Sequence, residues 1–414
     1  MEDELKVKGE KLKKAKYELG LLTTSQKNLA LLEIKNSLLK NTRIILNANK
    51  IDITKAVSEG MNASLIDRLT LTENRLIKIA ESIDTIIKLT DPSGVIISGK
   101  VLESGLQLLK KTVPLGAIAI IYEARPNVTI DATMLAIKSG NAILLRGSSS
   151  TINSNKAIVL AIKEGLRKSE VSEDCCFLIE DTRREVVHEI ITANDYIDLV
   201  IPRGGAQLIN MVVKNATVPT IETGVGNCHL YVDKQTDLEM AYAIFENGKM
   251  SRPSVCNSLE TLLVHQDVAQ QFLTMAYEKL HDKLQFRGCQ RTCDIIACDL
   301  ATEEDFEKEF LDYIISVKIV DNIDDAIFHI RKYSSGHSES IVTDCLSSSN
   351  KFTTEIDSAC VYVNASTRFS DGGEFGMGAE MGISTQKTHA RGPFSINELV
   401  SYKYIIEGNG QVRN

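Results

Sequence analysis

Cys256 sits in SRPSVCNSLETLLVH (251–265), between a helix-like stretch and an apolar run that reads as a strand. A thiol at a strand entrance can face a cleft and attack an electrophilic carbon. Composition argues the other way. The chain has nine cysteines, and most free cysteines pack as small buried hydrophobes. A thiol of ordinary pKa, about 8.5, is only a few per cent ionised at neutral pH. Lowering it by about 1.5 units takes roughly 2 kcal/mol of preferential thiolate stabilisation. Arg252, four residues before Cys256, is one source of positive field; a solvent-exposed arginine is the alternative.

Other chemistries are weaker. Gly224 and Gly226 begin a GxGxxG pattern, but residue 229 is His, and GMGAEMG (376–382) has the wrong spacing. A common dinucleotide fingerprint is therefore missing. Cys289, Cys293 and Cys298 are near one another, yet no paired CxxC or histidine partner accompanies them. They read as surface thiols, and no metal site is expected.

Apolar runs that would position such a thiol begin near Val113. They include LGAIAIIYE (115–123), NAILLRG (141–147), DYIDLVIPRG (195–204) and CHLYVD (228–233). LETLLVH (259–265), SVKIVD (316–321), SIVTD (340–344) and CVYVN (360–364) follow. Amphipathic stretches such as TIDATMLAIKSG (129–140) and GAQLINMVVKNA (205–216) alternate with them. Continuous apolar strands alternating with helices predict an α/β protein with parallel sheets covered on both faces. The first hundred residues read as helices, with Thr24 and Ser25 as N-cap candidates and a second apolar stripe from Arg75 to Leu89. A domain boundary is expected near ETGVGN (222–227). The closing LVSYKYIIEGNGQVRN holds a strand that either folds back onto its own sheet or pairs with another subunit.

With 414 residues the chain can build two medium domains. A net charge of −8 argues against a nucleic-acid binder. No run of about 18 apolar residues is present, so no membrane span is expected. The odd number of scattered cysteines and the lack of a signal peptide predict a cytoplasmic protein with reduced thiols.

RPSVCNSLETLLVH resembles the nucleophile segment of gamma-glutamyl phosphate reductases, a branch of the aldehyde dehydrogenase superfamily. So do VPLGAIAIIYEARPNVTIDA (113–132), IPRGGAQLI (201–209), VPTIETGVGNCHLYVD (218–233), SSGHSESIVT (334–343) and VYVNASTRFSDGGEFGMGAEMGISTQKTHARGP (361–393). These blocks occur in the family's order over roughly 113–407. The resemblance implies an aldehyde dehydrogenase-like α/β fold: two parallel-sheet domains plus a small β oligomerisation arm. It divides the chain into a cofactor domain (1–102 and 120–225), a catalytic domain (226–385) and the arm (103–119 and 386–414).

It also implies the activity: NADPH-dependent reduction of L-glutamate 5-phosphate to the 5-semialdehyde through a thioester on Cys256, in proline biosynthesis. Asn127 matches the oxyanion-stabilising Asn; the competing reading is an N-cap for the following helix. Glu222 matches the superfamily's general base. A reductase has no use for hydrolysis, so Glu222 is expected to shape the site or relay protons. Arg146 and Ser149, in NAILLRGSSS, stand where NAD-preferring relatives often carry a carboxylate, and they suit the 2′-phosphate of NADPH. Gly204 and Gly205 match a turn near the pyrophosphate, with close helix packing as the alternative. Glu309 matches the carboxylate that holds the nicotinamide ribose. Arg125, His337, Asn364, Ser366 and Arg368 are the candidates for substrate binding.

Two departures from the family pattern fall in SGKVLESGLQLLKKTVPLG (98–116), which is shorter, and in RGSSS, which replaces a more glycine-rich loop. With no kinase-like segment ahead of the domain, a separate glutamate 5-kinase is the expected partner, and the enzyme is expected to be a homo-oligomer. The rivals are a related reductase with another acyl donor and a catalytically dead relative.

Overall fold

The computed structural model describes residues 4–413. Contacts divide the chain into two compact units. One comprises residues 1–223, 376–382 and 394–414; the other comprises 224–375 and 383–393.

The first unit opens with helices α1 (Glu4–Gly20), α2 (Thr24–Lys40), α3 (Thr42–Ser58), α4 (Ala63–Leu69) and α5 (Glu73–Lys88). α2 is capped by Thr23, one residue before the expected caps: its hydroxyl accepts from the Gln26 N–H, and the Gln26 side chain reaches back to the cap. β1 (Ile96–Val101) and β2 (Gln107–Pro114) follow, and then a wound parallel block. That block runs β3 (Ala117–Tyr122), α6 (Asn127–Ser139), β4 (Ala142–Arg146), α7 (Ile152–Lys168), β5 (Cys176–Leu178), α8 (Arg184–Ile191), β6 (Leu199–Arg203) and α9 (Ala206–Asn215). Its strands lie in the order β5-β4-β3-β6, all parallel. Every residue of β3 and β4 is buried, which explains why both read as unbroken apolar runs without alternation.

The second unit contains β7 (Cys228–Val232), α10 (Leu238–Met250), β8 (Leu259–His265), α11 (Gln266–Leu280), β9 (Gln285–Gly288), α12 (Gln290–Cys293), β10 (Asp299–Leu300) and α13 (Glu303–Glu307). β11 (Ile314–Val320), α14 (Ile323–Tyr333), β12 (Ser338–Val342), α15 (Leu346–Glu355) and β13 (Cys360–Val363) complete it. These strands form one seven-stranded parallel sheet, ordered β10-β9-β11-β8-β7-β12-β13. Neighbours along a strand enter different cores. Leu230, Val232, Leu262 and Val264 join Phe245, Phe272 and Leu273 on one face. Tyr231 and Leu263 join Ile327, Ile330, Ile341 and Phe352 on the other. Burying each such side chain contributes about 1.5–3 kcal/mol.

The chain then passes through β14 (Gly382–Ser384) and β15 (Gly392–Phe394) to β16 (Val400–Glu407). β16 pairs antiparallel with β2 from Val400↔Pro114 to Glu407↔Gln107, so the terminal strand joins its own chain. β1 pairs with the other edge of β2. The arm sheet therefore starts at Ile96, earlier than the sequence suggested. It also stops sooner, because Ala117 already belongs to the parallel sheet. All six residues of β1 are exposed, and IISGKV shows neither alternation nor an unbroken apolar run.

Candidate active site

In the second unit, Cys256 lies half-buried in the loop that connects α10 to β8. Gly226 presses against its backbone: a Cβ at residue 226 would stand 1.5 Å from the Cys256 carbonyl oxygen and 2.6 Å from its Cα. Only glycine allows this approach. The Gly226 N–H donates to Glu309 Oε1 at 2.8 Å, so a carboxylate anchors the strip of backbone lying on Cys256. From the other side, Cys228 Sγ donates to the Cys256 carbonyl at 3.2 Å. Burial raises the Cys228 thiol well above its ordinary pKa, which keeps it a protonated donor.

The residue after Cys256 is equally constrained. Asn257 Nδ2 donates to the carbonyls of Ser370, at 3.0 Å, and Arg368, at 3.2 Å. The Asn257 carbonyl accepts from Thr367 Oγ1 at 2.7 Å, and its Oδ1 accepts from Arg368 Nη1. Arg368 also donates through Nε to Ser251 Oγ at 3.1 Å, so its guanidinium spans the nucleophile loop. Burial and neighbouring Arg252 lower its pKa, and the Arg252 side chain lies at the exposed start of the loop.

The same loop is bracketed by an ion pair. Lys249, in the last turn of α10, donates to Glu260 in β8 at 2.8 Å, and both side chains are fully buried. Burial pushes Glu260 up to about 7 against the pull of Lys249, and it lowers Lys249. Glu260 Oε1 also accepts from the Leu311 N–H at 3.2 Å. Leu311 has φ 55°, a left-handed backbone that a leucine seldom adopts, two residues from Glu309.

The other expected residues of this unit fall in distinct places. His337 is fully buried, and its Nδ1 shares a hydrogen bond with Ser338 Oγ at 2.8 Å and lies 3.8 Å from Cys228 Sγ. Ser338 continues to Ser370 at 2.6 Å, and Ser370 to the Tyr362 hydroxyl at 2.8 Å. Ser366 caps the short turn that carries Arg368, accepting from its N–H at 3.2 Å. Asn364, at φ 55°, uses its amide on the backbone of Thr343, accepting at 2.8 Å and donating at 3.0 Å. That side chain ties the ends of β12 and β13 together. Thus Cys256, Ser366 and Arg368 share one cluster with His337 behind it, Glu309 enters through Gly226, and Asn364 stands apart.

In the first unit, loops at the carboxyl ends of the strands collect the remaining candidates. Between β3 and α6, Ala124 has φ 44°, which turns the chain sharply between Glu123 and Arg125. Asn127 is the first residue of α6 and makes no side-chain cap; its Nδ2 donates to Asp131 Oδ2 at 2.9 Å. The N-cap reading of Asn127 therefore gives way to an amide oriented by a carboxylate one turn later. Arg125 lies half-buried beside it.

Arg146 ends β4. Its Nη2 donates to the carbonyls of Thr182, at 2.7 Å, and Arg183, at 3.0 Å, while its buried Nε has no hydrogen-bond partner. Ser149 is exposed in the following turn. Across the sheet, the Glu123 carboxylate accepts from the Gly205 N–H at 2.9 Å, and a Cβ on Gly204 would meet it at 2.5 Å. Close packing thus explains Gly204, and the start of α9 is capped by the chain's own carboxylate. Glu222 is half-buried in the extended stretch just before Gly224.

Sequence reasoning passed over Gly226, Asn257, Asp131, Glu123 and the Lys249–Glu260 pair. Asp131 carried a usable signal, since i and i+4 residues share a helix face. Lys249 and Glu260 carried none, because opposite charges eleven residues apart are commonplace.

The aldehyde dehydrogenase family model matches residues 25–295. A gamma-glutamyl phosphate reductase of Alkaliphilus oremlandii is 57% identical over 403 residues, covering 97% of this chain and 98% of that protein. One from Clostridium perfringens is 52% identical, with both chains covered completely. The crystal structure of gamma-glutamyl phosphate reductase from Thermotoga maritima superposes with a TM-score of 0.95 at 50% identity over the whole of both chains. With this fold and this cysteine loop, the chain belongs to the gamma-glutamyl phosphate reductase family and is an oxidoreductase of the aldehyde dehydrogenase family.

Proposed function

We propose that the protein reduces L-glutamate 5-phosphate to L-glutamate 5-semialdehyde with NADPH, releasing phosphate. The observation that carries this reading is the full-length likeness to named gamma-glutamyl phosphate reductases together with the way every neighbour of Cys256 fixes its loop. Cys256 attacks the acyl carbon, the C–O bond to phosphate breaks, and a thioester remains on the sulfur. NADPH, when bound, supplies the hydride that takes this thioester to the aldehyde level. Collapse of the hemithioacetal then frees the aldehyde and returns the thiol.

The Asn127 amide, oriented by Asp131, donates to the oxyanion formed on attack. Glu222 shapes the site or relays protons. Arg368, Arg125 and Ser366 meet the substrate's carboxylate or leaving phosphate. Buried His337 and exposed Asn364 act at one remove, by holding the loops that carry those residues. Glu309 orders Gly226 and, from that position, the nicotinamide ribose.

The residues fit NADPH at the ribose end. Arg146 keeps a buried donor without a partner, and exposed Ser149 follows it, which suits a 2′-phosphate. Glu123 already takes the Gly205 amide at the start of α9, so that amide would not be among the groups holding the pyrophosphate.

In this reading the enzyme works in proline biosynthesis in the cytoplasm. It takes its acyl phosphate from a glutamate 5-kinase and assembles with copies of itself through the arm. The deciding experiment is the reverse reaction with pyrroline-5-carboxylate, the cyclised product, plus phosphate and NADP+. NADPH should form only when phosphate is present, and formation independent of phosphate would point to a different acyl acceptor. A folded Cys256→Ser variant that stayed active would end the proposal.

A further inference from the structure

Away from Cys256, at one edge of the seven-stranded sheet, two other cysteines are in direct contact. Cys293 closes α12 and Cys298 immediately precedes β10; their sulfurs lie 2.7 Å apart. Both are half-buried, so small solutes reach them. The place for the second sulfur is built. Gly288, at the end of β9, has no side chain, and a Cβ there would stand 2.7 Å from Cys298 Sγ and 2.6 Å from Thr292 Cγ2. Carbonyls of Gly288 at 3.6 Å, Cys298 at 3.5 Å and Asp299 at 3.7 Å lie around Cys293 Sγ, and Cys298 supplies the sulfur in contact with it. Among the described residues, no group of three or more histidines, cysteines or acids is arranged to hold a metal ion.

We propose that Cys293 and Cys298 form a reversible dithiol–disulfide site that reacts with hydroperoxides independently of the catalytic thiol. Cys293, whose sulfur borders the exposed Asp299, attacks the distal oxygen of the peroxide. The O–O bond breaks, water or an alcohol leaves, and the sulfur becomes a sulfenic acid. Cys298 then attacks that sulfur; the S–S bond forms, the S–O bond breaks, and a second water leaves. The two sulfurs together lose two electrons and the peroxide gains them. Burial and the neighbouring Cys293 push the Cys298 thiol up to about 12, which retains its proton until the sulfenic acid offers it a bond. The closed ring encloses only residues 294–297, and such a short exposed disulfide remains open to reduction by thiols.

The test uses the full-length reduced protein, a few equivalents of hydrogen peroxide, and a quench with iodoacetamide. Trypsin cuts after Arg291 and Lys308, so both cysteines fall in one peptide, Thr292–Lys308. That peptide should lose two hydrogen masses and take up no label, and dithiothreitol should restore two labels. Cys298→Ser should instead trap a sulfenic acid at Cys293 that reacts with dimedone. Gly288→Ala, which pushes on the seat of the Cys298 sulfur, should slow closure. Two labels on the peptide while Cys256 is already oxidised would overturn the proposal, as would a bridge from Cys289 in place of Cys298.

Discussion

Gly226 lies so close to Cys256 that a single methyl group would overlap the Cys256 carbonyl. The amide of the same glycine is held by Glu309. Displacement of a reacting group by about 1 Å can lower the rate about 100-fold. Gly226→Ala should therefore cut kcat by at least that order, with circular dichroism unchanged and slower alkylation of Cys256. Near-normal kcat would mean that the loop accommodates the methyl and that its position matters little.

In the proposed mechanism Asn127 is the oxyanion donor and Asp131 its guide. Removing one oxyanion donor typically lowers kcat by about 10²–10³. Asn127→Ala should show a loss of that size with little change in KM for the acyl phosphate. Asp131→Ala should lie between it and the parent, since the amide remains but loses its orientation. Equal kcat in all three proteins would remove Asn127 from the chemistry.

The cofactor preference should depend on Arg146. Arg146→Ala should raise KM for NADPH roughly tenfold, a change of about 1.4 kcal/mol, and leave NADH use nearly unaltered. Parallel losses with both cofactors would assign the side chain to packing against Thr182 and Arg183 instead.

The Lys249–Glu260 pair should dominate the stability of the nucleophile loop. Removing one member of a fully buried pair strands a charge and destabilises by about 3–5 kcal/mol. Lys249→Met should show such a loss in denaturant unfolding, and Lys249→Met combined with Glu260→Leu should recover much of it. A double variant as unstable as the single one would show that shape, not charge, is the issue.

His329 gives the fold an acid limit. Its ring packs among His229, Phe306 and Tyr333 near Lys318, and burial takes its pKa down to about 2. The unfolded histidine titrates near 6.5 and so binds a proton before the folded one does. Its contribution is complete above about pH 6.5 and declines as the pH falls toward 2. Tm should drop between about pH 6.5 and 5, and His329→Leu should flatten that slope. An unchanged slope would move the acid sensitivity elsewhere.

The alternation of strands and helices from β3 onward was readable because parallel strands buried on both faces must be apolar throughout. The cysteine loop was readable because its neighbouring residues resemble a family. β5, β9 and β10 were not seen, since two to four residues carry no periodicity. β1 was hidden because IISGKV, exposed along its whole length, shows neither alternation nor an unbroken apolar run.

What the sequence determined by itself, then, was the class of fold, and it singled out Cys256 as the candidate nucleophile, both from local runs of residues. Only the tertiary structure decided which groups serve it. Glu309 reaches Gly226, Glu260 reaches Lys249, Glu123 takes the amide at the start of α9, and Cys298 reaches Cys293. Most of these partners come from separate strands and loops, and chain order does not record which strand ends lie side by side. Hydrogen bonds and steric contacts act over a few ångströms, so their pairings exist only once the sheets have set those distances.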